Sequence, residues 1–255
     1  MTNLRALGIV VLLCFLNGCT GVSTNSASLP KPTPSPTVLV QVQEHDVALK
    51  RLRVTAPLTA RYIEKLYKTY RVEQLRYTGN KSLQQYMIKT HDDTATNYHR
   101  CRKGIPRGRL LMYEYALRRY SEKYNLDINW FIKMTTHEYG FVNWYTTKTS
   151  KGYLLPIERW SWGPWQVQKG TLVGTLESLG CKDAKNLSYG DMLTFPLLNA
   201  DVSARVLAYH IRCLGSYEKG LQAYNGGPVG WKDGRSLKYL KRVRAVDLTD
   251  IAGLK

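Results

Sequence analysis

From about Ala56 to the C-terminus, apolar residues recur at helical spacing, and little of the chain alternates as a strand would. Such a pattern restricts the chain to stacked amphipathic helices around a shared core. Helices are expected over residues 60–75, 82–89, 106–124, 128–138, 171–179, 196–214, 217–224 and 236–246, with Asp127 as the N-cap of the fourth. Residues 148–164 are rich in Gly, Ser and Trp and are expected to form an irregular loop, with at most a small hairpin. With 255 residues and 44% hydrophobic content, the chain can build one well-cored domain plus short appendages.

The first residues read differently. Arg5 precedes an apolar run over residues 6–16. That run is shorter than the roughly 20 residues a spanning helix needs, and it fits a signal-peptide core. It ends in Leu16-Asn17-Gly18-Cys19, which resembles a bacterial lipobox, in which the cysteine is acylated and becomes the mature N-terminus. The resemblance implies a signal peptide over 1–18 and lipidation at Cys19. Thr20, where an Asp would favour the inner membrane, implies the outer one. Residues 19–55 begin Ser/Thr/Pro-rich and are expected to be a lipidated tether.

Lys and Arg number 37 against 19 Asp and Glu, a formal net charge of +18. That balance calls for an anionic partner. For an exported chain the partner expected is peptidoglycan, whose peptide stems carry carboxylates, and not nucleic acid. Cys101, Cys181 and Cys213 would then sit in an oxidising compartment. A Cys181–Cys213 disulfide is expected, with Cys101 free and buried. No Cys-x-x-Cys occurs and the histidines are scattered, so no structural zinc site is expected.

On a helix over 128–138, Ile128, Phe131, Ile132 and Thr135 share one face, and Glu138 falls at its edge in the last turn. A carboxyl there is partly desolvated and near the negative end of the helix dipole, and both effects raise its pKa. A glycosidase needs such a group, protonated near neutral pH, to donate to the leaving oxygen.

Five segments add to this in order: Glu138-Tyr139-Gly140-Phe141, Gly163-Pro164-Trp165-Gln166, Asp191 to Ala204 with Pro196 and Asn199, Ala223-Tyr224-Asn225-Gly226-Gly227, and Tyr239-Leu240-Lys241-Arg242-Val243. They resemble the Glu-Ser-x-Phe, Gly-Leu-Met-Gln, Asp-Pro-x-x-Asn, Ala-Tyr-Asn-x-Gly and Tyr-Val-x-x-Val segments of the soluble-type lytic murein transglycosylase family, within the lysozyme-like superfamily. The resemblance spans about residues 110–246. It implies an all-α (mainly helical) lysozyme-like transglycosylase fold over 110–255, preceded by a helical extension over 56–109. Glu138 would be the general acid and then the base. Gln166 would bind a sugar, Tyr224 and Asn225 would floor the site and contact sugar or the catalytic carboxyl, and Tyr239 would orient that carboxyl. Trp160, Trp162 and Trp165 precede or adjoin the Gln and suit a groove wall that stacks on sugars, with core packing as the competing account. No metal or organic cofactor is implied.

The departures bear on substrate preference. Tyr139 stands where the family has a substrate-bonding Ser, Pro164-Trp165 replaces Leu-Met, and the stretch from Glu138 to Gly163 is longer than usual. The family uses one carboxylate and an intramolecular attack by the C6 hydroxyl, leaving a 1,6-anhydro-MurNAc end. If Glu158 faced Glu138 across the groove, a hydrolase similar to goose-type lysozyme would be the better reading. An inactive wall-binding lipoprotein is a further alternative, as is a DNA-contacting part of an export machine. His137-Glu138 does not begin a metalloprotease His-Glu-x-x-His motif, because position 141 is Phe. The expected partners are therefore peptidoglycan glycan strands, the membrane through the lipid, and envelope machinery.

Overall fold

Residues 196–204 are apolar or small at all but two positions, Asn199 and Asp201, and such a segment is stable only inside a core. In the computed structural model they open helix α8 (Pro196–Leu214), and each of them is buried. The structure describes residues 36–97, 104–143, 145–146, 156–232 and 234–254, without the side chains of 36–43, 97, 145–146, 158 and 228. The expectations at Cys19, Cys101 and residues 1–35 therefore lie outside the described residues.

The other helices are α1 (Pro36–Thr55), α2 (Pro57–Tyr77), α3 (Lys81–Asn97), α4 (Arg107–Tyr124), α5 (Ile128–Tyr139), α6 (Lys169–Ser178), α7 (Asp191–Thr194), α9 (Tyr217–Gly230) and α10 (Leu237–Arg244). The fold is all-α apart from a small antiparallel sheet in the order β1 (Tyr145–Thr146), β2 (Ser161–Trp162), β3 (Val167–Gln168). Helices α4 and α9 pack along α8, and α2 reaches both α4 and α8. Among the described residues no helix is long and apolar enough to cross a membrane.

The central helix carries a fully buried charge, Asp201. Its carboxylate accepts from Lys123 Nζ at 2.7 Å, Tyr124 Oη at 2.8 Å and Tyr62 Oη at 2.5 Å. A carboxylate taken out of water persists only with such partners, so this junction ties α2 and α4 to α8. Two other acids act as caps from a distance. Asp183 accepts from the amides of Leu58 (2.7 Å) and Thr59 (3.0 Å) at the start of α2, where Ala56 offers no side-chain cap. Burial pushes Asp183 up, but the hydrogen bonds from Thr59 and the two amides outweigh it and hold the carboxyl below its usual range. Buried Glu114 accepts from the Gly79 amide at 3.0 Å and the Asn80 amide at 2.7 Å, just before α3.

Two expectations are corrected here. The tether expected over 19–55 does not extend to residue 55. Helix α1 begins at Pro36, and its Leu49 and Leu52, one turn apart, are buried in the core beside Ala56. Past Pro36 the chain lacks Pro until position 57 and gains spaced apolar residues, so it can pair with α2 as a helical hairpin. The Cys181–Cys213 disulfide is absent, and both thiols are free. Cys181 is buried against the Leu58 carbonyl at 3.9 Å, whereas Cys213 is exposed on the last turn of α8. Spacing alone could not tell that the two thiols belong to such different surroundings.

Candidate active site

Asp127 caps α5 by accepting from the Asn129 amide at 2.8 Å, which fixes where the helix starts. Gly140 ends it in the left-handed region, its amide donating to the Thr136 carbonyl. A side chain at Gly140 would collide with Thr94 Oγ1 of α3, so the glycine is needed for backbone conformation and for close approach alike. Between these two stops Glu138 occupies the last turn of α5.

Helix α10 packs on α5 and brings Tyr239, whose hydroxyl donates to Glu138 Oε1 at 2.7 Å. Part of Glu138 is open to a cleft, but the packing around its carboxyl excludes bulk water. That burial raises its pKa from the ordinary carboxylate value to about 7, against the opposing pull of the Tyr239 hydrogen bond. Burial first, and then the Glu138 charge, hold the Tyr224 and Tyr239 phenols well above their usual value, so both remain protonated. His137, whose ring lies 5.1 Å from that of Tyr239, is lowered by burial and by the Arg242 charge and is neutral at pH 7.

The cleft is about 730 Å³, within the roughly 300–1,000 Å³ typical of ligand sites. Glu138, Ser203 and Tyr224 line it together with Ser161, Gln166 and Gln168 from the β2–β3 hairpin, and Asn225, Gly226 and Gly227 from the end of α9. Tyr224 Oη donates to the Trp165 carbonyl at 2.6 Å and meets Ser203 Oγ at 2.9 Å. It therefore clamps α9, the hairpin and α8 together at the base of the cleft.

The hairpin's seat has a steric cause. Gly163 has φ +74°, and a Cβ there would stand 2.9 Å from Asn199 Oδ1. Asn199 Nδ2 in turn donates to the Trp162 carbonyl at 3.0 Å. Gln166 also adopts a left-handed backbone, φ 48°, which is uncommon for a residue with a side chain. Its Nε2 donates to the Gly163 carbonyl at 2.8 Å. At the other end of the site, a Cβ on Gly226 would overlap Ser236 Oγ, so only glycine lets the end of α9 approach the start of α10. The Asn225-Gly226-Gly227 segment thus positions two cleft elements and also kinks its helix at Gly227.

Glu138, Gln166, Tyr224, Asn225 and Tyr239 are brought together as a group. Trp165 is not part of the exposed site, and its expected contact with sugar is corrected. The ring is fully buried, stacked on Phe131 at 6.2 Å and edge-on to Tyr113 at 5.7 Å, so core packing wins there. Trp162 is likewise buried, stacked on Tyr189 at 5.5 Å. Tyr139 ends α5 half-buried and is not among the residues lining the cleft. Glu158 belongs to the 3-10 turn Ile157–Arg159, and its side chain lies outside the described residues. Sequence reasoning missed Ser203, one helical turn after Asn199 on α8, which that periodicity could have flagged. It also missed Arg159, His210 and Arg235, which line the cleft and carry no local signal. Among the described residues no three of His, Cys, Asp and Glu stand close enough to hold a metal ion. No family model, curated protein or solved structure matches this chain.

Proposed function

We propose that this chain is a lytic transglycosylase that cleaves the MurNAc–GlcNAc β-1,4 bond of peptidoglycan, with Glu138 as its acid and base. The observation that carries the reading is a single carboxyl, raised to about 7 by burial and hydrogen-bonded by Tyr239, in a cleft of ligand size. In its protonated form Glu138 can donate to the glycosidic oxygen as the C1–O bond breaks, with the substrate's N-acetyl group assisting at C1. The resulting carboxylate then takes the proton of the C6 hydroxyl as that oxygen bonds to C1. A 1,6-anhydro-MurNAc end forms, no water is consumed, and Glu138 is protonated again. Glu138 is the sole carboxylate among the described side chains lining the cleft, which suits one-carboxylate chemistry. Intramolecular attack draws on a large effective-molarity advantage.

The reading extends to location. The apolar run ending in Cys19 supports a lipid anchor on the periplasmic face of the outer membrane, and the excess of cations supports attraction to an anionic wall. The test is mass spectrometry of fragments released from purified peptidoglycan by the wild-type chain and by Glu138→Gln. Fragments ending in 1,6-anhydro-MurNAc, absent from the variant digest, are expected. Ordinary reducing ends, one water heavier, would make it a hydrolase, and no fragments at all would leave a binding protein.

A further inference from the structure

Helix α2 leaves one face uncovered. Arg61, Lys65, Lys68, Val72 and Leu75 follow one another at alternating steps of four and three residues, which places them on a single stripe of the helix. All five are exposed, whereas Ile63 and Leu66 on the opposite side are buried in the core. Leu75 is 87% exposed, the most of any large apolar side chain among the described residues, and Val72 is 77% exposed. Arg71, also exposed, borders the stripe. Among the described residues none of these four cations has an acid within ion-pair distance, because the acids of the same helix are engaged elsewhere. Glu64 is held by Arg53 at 2.7 Å and Glu73 by Arg119 at 2.8 Å.

Unmatched cations beside bare apolar side chains on one helix face suit few partners. A hydrated acidic polymer satisfies the cations but has nothing to offer Val72 and Leu75. A second copy of the same face would set cation against cation. An anionic phospholipid surface satisfies both, with phosphates at the surface and hydrocarbon just beneath. We propose that this face of α2 docks on anionic phospholipid, with Arg61, Lys65, Lys68 and Arg71 at the headgroups and Val72 and Leu75 in the acyl boundary below them. The stripe runs about 20 Å along the helix axis, so α2 lies flat on the surface. Each cation near such a surface strengthens binding roughly fivefold. The docking goes beyond the lipid anchor proposed at Cys19, which would hold the chain near a bilayer without choosing a face. It depends neither on that anchor nor on the chemistry at Glu138.

The test uses residues 20–255, which retain the whole compact unit of residues 35–255 and lack the apolar run and Cys19, so that neither can hold the chain to a vesicle. Sedimentation is measured with vesicles of phosphatidylglycerol mixed into phosphatidylcholine and of phosphatidylcholine alone, at low and high salt. Binding to the anionic vesicles alone is expected, weakening as salt rises. Arg61→Gln with Lys65→Gln and Lys68→Gln should weaken it about a hundredfold. Val72→Ser with Leu75→Ser, all charges kept, should weaken it at least about fivefold. Lys81→Gln with Lys238→Gln and Lys241→Gln makes the same charge loss at exposed positions on α3 and α10 and should weaken it less than about threefold. All the substituted side chains are exposed, so circular dichroism should be the same for every variant. Absence of binding to the anionic vesicles overturns the proposal. Equal loss in the two triple variants does so too, since net charge alone would then explain the attraction, and so does a Val72/Leu75 pair that binds undiminished. Loss of binding to purified peptidoglycan in the first triple, with vesicle binding unchanged, overturns it in favour of a wall contact. Fragment release from peptidoglycan is read separately, so failure of the glycan-cleaving reading leaves this result standing.

Discussion

At Glu138 a single carboxyl combines two demands, access to the cleft and shelter from water. Its raised pKa has a stability consequence with a definite sign. A carboxyl whose folded-state pKa lies near 7 binds its proton more tightly folded than unfolded. Its contribution is fully present below about pH 4.5 and is lost as the pH rises through about 7. Glu138→Gln, which cannot ionise, should therefore stabilise the chain at pH 8–9 by up to about 3 kcal/mol relative to its effect at pH 4. Thermal melts of both proteins across that range check it, and an offset independent of pH would refute the buried carboxyl. Tyr239→Phe removes the hydrogen bond that opposes the rise. The alkaline limb of the pH–rate profile should move to higher pH, and kcat should fall roughly ten- to a hundredfold, the value of a hydrogen bond to a charged group. Glu138, Gln166, Tyr224, Asn225 and Tyr239 were singled out because their segments resemble those of a known family, and the fold brings them to one cleft. Trp165 was misread because a tryptophan in a Gly-rich segment fits a groove wall or a core equally well. In the fold Gly163 is seated against Asn199, and the Trp165 ring is buried against Phe131 and Tyr113.

Elements here are defined by local spacing but joined by contacts that spacing does not reveal. The periodicity of residues 196–214 and the Asp127 cap foretell α8 and the start of α5, because both are local. The carboxylate that caps α2, Asp183, lies more than a hundred residues downstream, and no window of sequence contains both partners. Helix α1 was missed for a related reason. Its mean amphipathicity is weak, and it is held through Leu49 and Leu52 against neighbours from the rest of the core. The junction of α9 and α10 offers a direct test of such a contact. Gly226→Ala would ordinarily favour a helix by about 1 kcal/mol. Here the added methyl meets Ser236 Oγ, and the overpacking should instead destabilise by about 1–3 kcal/mol. Because α9 carries Asn225 and α10 carries Tyr239, activity should fall further than stability does. Adding Ser236→Ala removes the obstructing oxygen and should restore most of both losses. Equal, additive losses in the double variant would show that the two positions do not touch.

For the molecule as a whole, the decisive question is whether residues before 104 are an appendage to a self-sufficient body that carries the cleft. The resemblance spans residues 110–246 and by itself suggests that they are. The packing argues otherwise. Leu52, Ile63, Leu66, Leu83 and Met87 from α1, α2 and α3 are buried in the same core as Tyr113, Leu198 and Leu207. Exposing their contacts would forfeit on the order of 10 kcal/mol of apolar burial, as much as the roughly 5–15 kcal/mol net stability of a typical domain. The polar junctions add to this. Without α2, Asp201 loses Tyr62 and keeps its charge inside the core, and Glu114 loses the amides of Gly79 and Asn80. The end of α5 would also lose Thr94, which abuts Gly140 two residues from Glu138. A fragment of residues 104–255 is therefore expected to lack a cooperative melt and near-UV circular dichroism, and to release nothing from peptidoglycan. The chain from residue 36 onward should melt in one transition and cleave. A fragment that melts cooperatively and retains the cleft's activity would show that the first three helices only rest on the core. The buried charge at Asp201 would then be expected to tolerate loss of Lys123 as well, where the present packing predicts that Lys123→Met destabilises by about 3 kcal/mol.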